Sequence, residues 1–454
     1  MKTGFKIMTP YRISIVGTGY VGLCTAVGFA SKGYNVLTST HDPKKASLIN
    51  KGTPPFHEPH LEEMLQKAVK NGYLRCMLDH EEAILNTDIT FIAVGTPSKP
   101  NGSIDLRYIE GSACEIGGAL KKKETSHLVV VKSTVVPGTT KNVVKPAIEK
   151  HSGKRCSIDF GLCMNPEFLR EGSALQDTLH PDRIIIGEYD KKSGDVLEAL
   201  YREFYEGDMP PLIRTNLPTA EFIKYANNAF LAMKVSFINS VANLCQKTPE
   251  ADVKAVAQAI GLDKRIGSLF LNAGLGWGGS CWPKDLNALL SYSKDLDIDL
   301  PLVDATLKVN HNQPHIALSL ARSLIGELKG KRIAVLGLSF KPNTDDVREA
   351  VSIKIINKLL NEGAEVVTHD PQAIDNAKAV LGNRVRYEHD VRNCLKDADC
   401  CIIVTEWDEY RALRPQDFRS YMKNPAIVDG RRIYDPKAFK SVKFAAVGLG
   451  TTDS

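Results

Sequence analysis

The sequence predicts an α/β protein: two doubly wound parallel-sheet domains joined by a central helical region that includes one long interdomain helix. Three observations carry this expectation. An apolar strand, a glycine-rich turn, a helix and a second strand follow one another within residues 12–38. The same grammar returns after Gly330, where residues 331–340 echo 12–19 and residues 363–371 echo 33–43. Between the copies, residues 219–247 read as a single helix, rich in Ala, Asn and apolar side chains and poor in charge. At 454 residues the chain is too long for one ordinary core. The expected domains are 1–212, 213–327 and 328–454, with a linker near Gly330.

Arg12-Ile13-Ser14-Ile15-Val16 is a short β-branched run, followed at once by Gly17-Thr18-Gly19-Tyr20-Val21-Gly22. A helical stretch, 23–32, stops at Gly33, and 34–38 reads as the next strand. In this order G-x-G-x-x-G marks a Rossmann-like dinucleotide site. The glycines permit a tight turn, close approach of a pyrophosphate and close helix–strand packing, and the phosphate meets the helix start. Gly17, Gly19, Tyr20, Val21 and Gly22 are therefore cofactor candidates. An acidic residue about 20 positions on normally receives the ribose hydroxyls of NAD. Asp42 has that offset by counting, whereas the echo of the second copy puts Thr40 there, because Asp370 stands seven residues after Gly363 and Thr40 seven after Gly33. With His41, Lys44 and Lys45 adjacent, NAD is the expected cofactor and NADP stays open.

Residues 88–94 form a further buried strand that ends at Thr96 and Pro97, and 128–132 another that ends at Ser133 and Thr134. Small polar residues at strand C-terminal ends line the crevice of such a sheet. Residues 183–187 read as a sixth strand. In Asn165-Pro166-Glu167-Phe168-Leu169-Arg170-Glu171-Gly172 two carboxylates lie four apart, a spacing that would share one helix face. On the long helix Glu221, Lys224 and Asn228 fall on one side. A lysine and an asparagine on a charge-poor helix want partners or a ligand. Later helices are expected near 251–260 and 350–361, and a further strand at 398–405.

The most reactive stretch is Gly278-Gly279-Ser280-Cys281-Trp282-Pro283-Lys284-Asp285. Glycines let backbone approach a ligand closely, and cysteine is the strongest nucleophile among side chains at neutral pH. With Pro283 opening a helix, the helix field and Lys284 both favour a thiolate. The Gly-Trp-Gly-Gly run before it suits backbone N–H donors around a phosphate or sugar.

Composition excludes several classes. Charged residues at 24% and a net charge of +5 suit an anionic small ligand and show no basic stripe for nucleic acid. No apolar run approaches the ~20 residues of a membrane span, and residues 1–10 lack the apolar core of a secretory signal. Ten scattered cysteines include no C-x-x-C and no zinc-site spacing, so no metal is expected and a reducing cytoplasm is. None of the fourteen tyrosines carries a lysine four residues on, which sets aside short-chain epimerases and reductases.

Taken together, GTGYVG, VGTPS, KSTVVPGT, NPEFLREG, EFIKYANNAF, GWGGSCWPKD and GLSFKPNTDDVRE occur in one order along nearly the whole chain. This series resembles the UDP-glucose/GDP-mannose dehydrogenase family of nucleotide-sugar 6-dehydrogenases. The resemblance implies two successive NAD-dependent oxidations of a primary alcohol to a carboxylate, with UDP-glucose as substrate and GDP-mannose or another nucleotide sugar as the alternative. It implies Cys281 as nucleophile, Lys224 and Asn228 as oxyanion stabilisers, Asp285 and Thr134 as water-holding residues, and Glu167 in acid/base steps. Glu171, Lys284 and Arg348 would face the cofactor. For the sugar nucleotide it implies Phe168, Leu169, Arg265 (reaching across from a partner subunit), Phe270, Leu271, Asn272, Ala273, Gly274, Gly276, Gly278, Phe340, Lys341 and Arg432, together with Glu167, Lys224 and Asn228. A homodimer or larger homo-oligomer is expected. Thr40 departs from the family's usual acidic residue, and Trp282 from its usual Phe or Leu. A non-catalytic NAD-binding module is the reading from another class, opposed by the intact Cys281, Lys224, Asn228 and Asp285.

Overall fold

The computed structural model describes residues 11–451 and divides into two compact units, 1–226 and 227–454. The division falls within one unbroken helix, Leu217–Cys245.

The first unit is built on strands β1 (Ile13–Val16), β2 (Val36–Ser39), β3 (Leu74–Met77), β4 (Ile89–Ile92), β5 (Leu128–Val131), β6 (Gly161–Met164), β7 (Ile184–Glu188) and β8 (Leu212–Asn216). They form one sheet in the order β3-β2-β1-β4-β5-β6-β7-β8. Its first six positions follow the doubly wound order. All neighbours are parallel except β6 and β7, which pair antiparallel. The run at 183–187, read from sequence as sixth, is thus the seventh strand, because β6 precedes it.

Alternation explains why these short strands are apolar throughout. Ile89, Phe91 and Val130 face one cluster, while Ile92, Val129 and Val131 face another on the opposite side. A parallel sheet covered on both faces needs no polar side, so its strands read as continuous apolar runs. Each such Val or Ile, fully removed from water, contributes roughly 1.5–3 kcal/mol.

The second unit repeats the scheme with β9 (Arg332–Leu336), β10 (Glu365–His369), β11 (Arg386–Tyr387), β12 (Cys400–Ile403), β13 (Ala426–Asp429) and β14 (Lys443–Ala446). Their order is β11-β10-β9-β12-β13-β14, parallel throughout. The two α/β sheets expected from the repeated grammar are therefore present. Between them in sequence run helices only: Leu217–Cys245, Val253–Gly261, Trp282–Lys294, Pro301–Asn312 and Pro314–Ile325.

Candidate active site

The switch point of the first sheet lies between β1 and β4, where chains leave in opposite directions. Gly17 turns there with φ +110°, and a Cβ on it would stand 2.4 Å from the Ala93 carbonyl oxygen. Gly22 is equally constrained, since its Cβ would meet the Gly17 carbonyl oxygen at 2.1 Å. Around Gly19, by contrast, a Cβ would find no atom of the chain within 4 Å. Gly19 is the N-cap of the helix Tyr20–Ser31. Two glycines thus close the turn, and the third leaves the helix start approachable by an anion. Val21 is half-buried, and Tyr20 stacks on Phe56 at 3.9 Å with its hydroxyl donating to the His57 carbonyl.

At the end of β2 the two ribose candidates have different surroundings. Asp42 is the N-cap of the helix Pro43–Asn50, its carboxylate accepting from the Lys44 and Lys45 amides. The Thr40 hydroxyl accepts the Asp42 amide at 3.3 Å. At the ends of β4 and β5, Thr96 and Ser133 are buried, Thr134 is half-buried and Pro97 is exposed. Ser133 donates to the Val94 carbonyl at 2.7 Å and so ties the two strand ends together.

The segment 165–172 is not helical, so Glu167 and Glu171 share no helix face. It follows β6 directly and begins with Asn-Pro, where the proline disfavours helix in the residue before it. Glu167 lies buried and accepts from Lys224 Nζ at 2.8 Å and from the Leu169 amide. Phe168 is covered by the Arg183 guanidinium, 3.9 Å from the ring centre, with Lys224 Nζ at 5.5 Å. Lys132, which the sequence reading passed over, belongs here too. Its Nζ donates to Asn165 Oδ1 at 2.9 Å, and the Tyr201 hydroxyl donates to the same oxygen. Burial pushes the Lys132 ammonium down to about 8, and Lys224 pushes the same way while Glu167 opposes. A lysine closing an apolar strand run was the available signal.

One turn before Lys224, Glu221 is fully buried and accepts from the Gly138 and Thr140 amides. Burial raises its carboxyl to about 7 against the pull of those hydrogen bonds.

In the second unit, Cys281 is the N-cap of Trp282–Lys294, and Pro283 sits in the first turn. The Ser280 hydroxyl lies 3.6 Å from its sulfur. Asp285, 1% exposed, accepts from Asn228 Nδ2 at 2.7 Å and from Lys284 Nζ at 2.6 Å. The Asn228 amide oxygen in turn accepts from Asn227. Asn228 and Lys284 thereby fix the carboxylate one turn after the thiol. Eight of the ten cysteines are buried; Cys281 and Cys114 are partly exposed.

The loop before the cysteine is held by buried amides. Asn239 accepts from the Gly274 N–H, Asn310 brackets Trp277 through both its N–H and its carbonyl, and Gln313 donates to the Gly274 carbonyl. Gly279 N–H donates to the Arg348 carbonyl. The expectation that Gly-Trp-Gly-Gly offers its N–H groups to a ligand therefore fails at Trp277 and Gly279, whose donors are engaged within the unit. The glycines are needed for packing instead. A Cβ on Gly278 would meet the Glu349 carbonyl oxygen at 2.3 Å, and one on Gly279 (φ +87°) the Phe340 ring at 2.7 Å. Leu271 and Ala273 are buried, Asn272 is exposed, and Phe270 sits beside Trp282 at 5.9 Å. Lys341 Nζ lies 5.7 Å from the Phe340 ring centre, and Arg348 pairs with Asp346. Arg265 is exposed and paired with Asp263. Arg432 is turned inward, paired with Asp252 at 2.9 Å, whereas Arg431 donates to the Gly276 carbonyl.

The chain as a whole has relatives among known proteins. The sequence models of the UDP-glucose/GDP-mannose dehydrogenase family match in three consecutive parts: its NAD binding domain over residues 11–205, its central domain over 218–312 and its UDP binding domain over 334–436. A UDP-glucose 6-dehydrogenase of Haloferax volcanii, AglM, is 44% identical over 93% of this chain and 97% of its own length. The chain belongs to the UDP-glucose/GDP-mannose dehydrogenase family. It is an NAD-dependent oxidoreductase, as its motifs implied, and the glycine turn at Gly17–Gly22 lies in the NAD-binding part. A second relative, the UDP-glucose 6-dehydrogenase YwqF of Bacillus subtilis, is 42% identical over 96% of this chain and 97% of its own. Among solved structures, a UDP-glucose dehydrogenase of Pyrobaculum islandicum superposes with a TM-score of 0.90 at 41% identity, covering 98% of this chain and all of that one. A UDP-D-ManNAc dehydrogenase of Pyrococcus horikoshii gives 0.85 at 28% identity, covering 96% of this chain and 99% of that one.

Proposed function

We propose that this protein oxidises UDP-glucose to UDP-glucuronate, reducing two NAD+ per sugar, with Cys281 carrying the intermediate. The observation that carries the reading is a cysteine at a helix start, followed one turn later by a buried carboxylate that Asn228 and Lys284 hold in place. The similarity to named UDP-glucose 6-dehydrogenases over nearly the full length supports the substrate.

The Gly17–Gly22 turn would hold NAD+, two molecules of which in succession would each supply a hydride acceptor for one oxidation. The first oxidation converts the C6 hydroxymethyl group to an aldehyde. The Cys281 sulfur then adds to that carbon, and the C=O pair becomes an oxyanion. Lys224 and Asn228 stabilise this charge as preorganised donors. Loss of the second hydride leaves a thioester. Water held by Asp285 and Thr134 attacks it, the C–S bond breaks, and the thiol returns as the carboxylate forms. Glu167 moves protons in these steps, with its carboxylate anchored on Lys224. Glu171, Lys284 and Arg348 serve the cofactor, and Thr40 receives the adenosine ribose. Lys132 acts through Asn165, fixing the start of the segment that carries Glu167 and Phe168.

In this reading residues 1–212 bind the cofactor, 213–327 carry the thiol and 328–454 bind the UDP-sugar through Phe340, Lys341 and Arg432. Phe270, Gly274 and Gly276 shape the sugar-nucleotide loop. Phe230, Phe237 and Leu244, more than half exposed and seven residues apart on the long helix, support a second copy of the chain as partner, with Arg265 reaching into its site. Ten thiols without a disulfide support a cytoplasmic location, and among the described residues no helix is long and apolar enough to cross a membrane.

The test is stoichiometric. UDP-glucose, GDP-mannose and UDP-N-acetylmannosamine are each offered with NAD and with NADP. UDP-glucose with NAD is expected to give the highest kcat/KM and two NADH per sugar, and Cys281→Ser to abolish turnover. One NADH per sugar with aldehyde release, or full activity in Cys281→Ser, would remove the assignment.

A further inference from the structure

Three residues far apart in sequence meet at the edge of the first unit: His41, just after β2; His80, the first residue of the helix His80–Leu85; and Glu115, on the helix Arg107–Lys122. His41 Nε2 lies 3.3 Å from one Glu115 carboxylate oxygen, and His80 Nε2 3.7 Å from the other. The two imidazole rings stand 4.2 Å apart, centre to centre. One ligand atom from each residue lies within 4.8 Å of the other two. In a tetrahedral centre with metal–ligand bonds of about 2.0–2.1 Å, neighbouring ligand atoms are roughly 3.3–3.5 Å apart. The two measured distances are close to that figure and end on the two different oxygens of the one carboxylate, which a cation between the rings can take singly or together.

We propose that His41, His80 and Glu115 form a binding site for a Zn2+-class divalent cation. Two imidazoles and one carboxylate suit zinc, cobalt or nickel, and are poor in the oxygen ligands that magnesium and calcium require. Three protein ligands leave a fourth position for water. His80 is 7% exposed, and its Nδ1 has no hydrogen-bond partner among the described residues, so the ring's polar contact is with this cluster. Asp79, the N-cap of the His80 helix, adds negative charge nearby. The cation would pin the end of β2 to two helices that frame it, immediately beside Thr40.

The experiment titrates ZnCl2 into the tag-free full-length protein by calorimetry and repeats the titration with His41→Ala, Glu115→Gln and Cys281→Ser. His41 and Glu115 are solvent-accessible, so both replacements leave the core intact, and circular dichroism checks this. One zinc equivalent per chain is expected, retained in Cys281→Ser and weakened more than about tenfold in each of the other two. Cobalt in place of zinc should give visible d–d bands without thiolate charge transfer. No bound equivalent, an equivalent unchanged in His41→Ala and Glu115→Gln, or one lost in Cys281→Ser would each overturn the site.

Discussion

Replacing Lys224 by Met keeps most of the aliphatic stem and removes the ammonium that stands 2.8 Å from Glu167. Two effects follow from that geometry, and they separate. Both side chains are at least nine-tenths buried, so the variant leaves a carboxylate without its counter-charge, a loss of about 3–5 kcal/mol. At roughly 2–4 °C per kcal/mol for a unit of this size, the melting midpoint of the first unit drops by about 6–20 °C. Independently, loss of one oxyanion donor lowers kcat by about a hundred- to a thousandfold. The double variant Lys224→Met/Glu167→Gln tells the two apart. With both charges gone it regains about 2 kcal/mol or more relative to the sum of the single changes, yet its kcat stays low. Calorimetry and initial rates of NADH formation read the two quantities. A single variant within tenfold of normal kcat would remove the oxyanion role, and stability losses that simply add would remove the ion-pair role.

Glu221 gives a pH signature. Its carboxyl titrates near 4.5 when unfolded and about 7 when folded, so the folded chain holds the proton more tightly. The stabilisation is complete below about pH 4.5 and declines as pH rises through 7, by about 3 kcal/mol at 1.36 kcal/mol per unit. Glu221→Gln removes this slope; parallel melting curves for the two proteins across that range would refute it. Gly22→Ala forces the first helix off the Gly17 carbonyl, which its Cβ would meet at 2.1 Å. The KM for NAD is expected to rise more than about tenfold, or 1.4 kcal/mol, in steady-state kinetics. Thr40→Asp places an acceptor for ribose hydroxyls and a repulsion for a 2′-phosphate. The ratio of kcat/KM for NAD over NADP should climb at least about tenfold, and an unchanged ratio would move the ribose away from residue 40.

Strands buried on both faces announced themselves. β1, β4 and β5 are β-branched and apolar at almost every position, and their boundaries were readable to within a residue or two. β6 was missed because Gly161-Leu162-Cys163-Met164 contains no β-branched residue, and β3 because Arg75 and Cys76 interrupt its pattern. Of the candidate site, the glycine turn and the cysteine helix were legible because each is a local device whose residues are neighbours in sequence. Helical spacing also placed Lys224 and Asn228 correctly on the buried side of their helix. Engagement was not legible. Spacing alone does not reveal that Asp42 caps a helix, that Arg432 pairs with Asp252, or that the Trp277 and Gly279 donors are occupied. The His41, His80 and Glu115 cluster was invisible for the same reason. Metal-site spacing rules search within one hairpin or helix, and these three come from separate elements brought together by the sheet.

The placement of the sulfur atoms has a practical corollary. Burial pushes up the thiols of Cys24, Cys76, Cys156, Cys163, Cys394, Cys400 and Cys401, and that of the partly exposed Cys114 is raised as well. An alkylating dye applied sparingly to the native protein will therefore mark the helix start at Cys281 ahead of the sheathed positions. A single fluorescent tag, located by mass spectrometry, then reports how many chains in a preparation present that thiol, without any turnover.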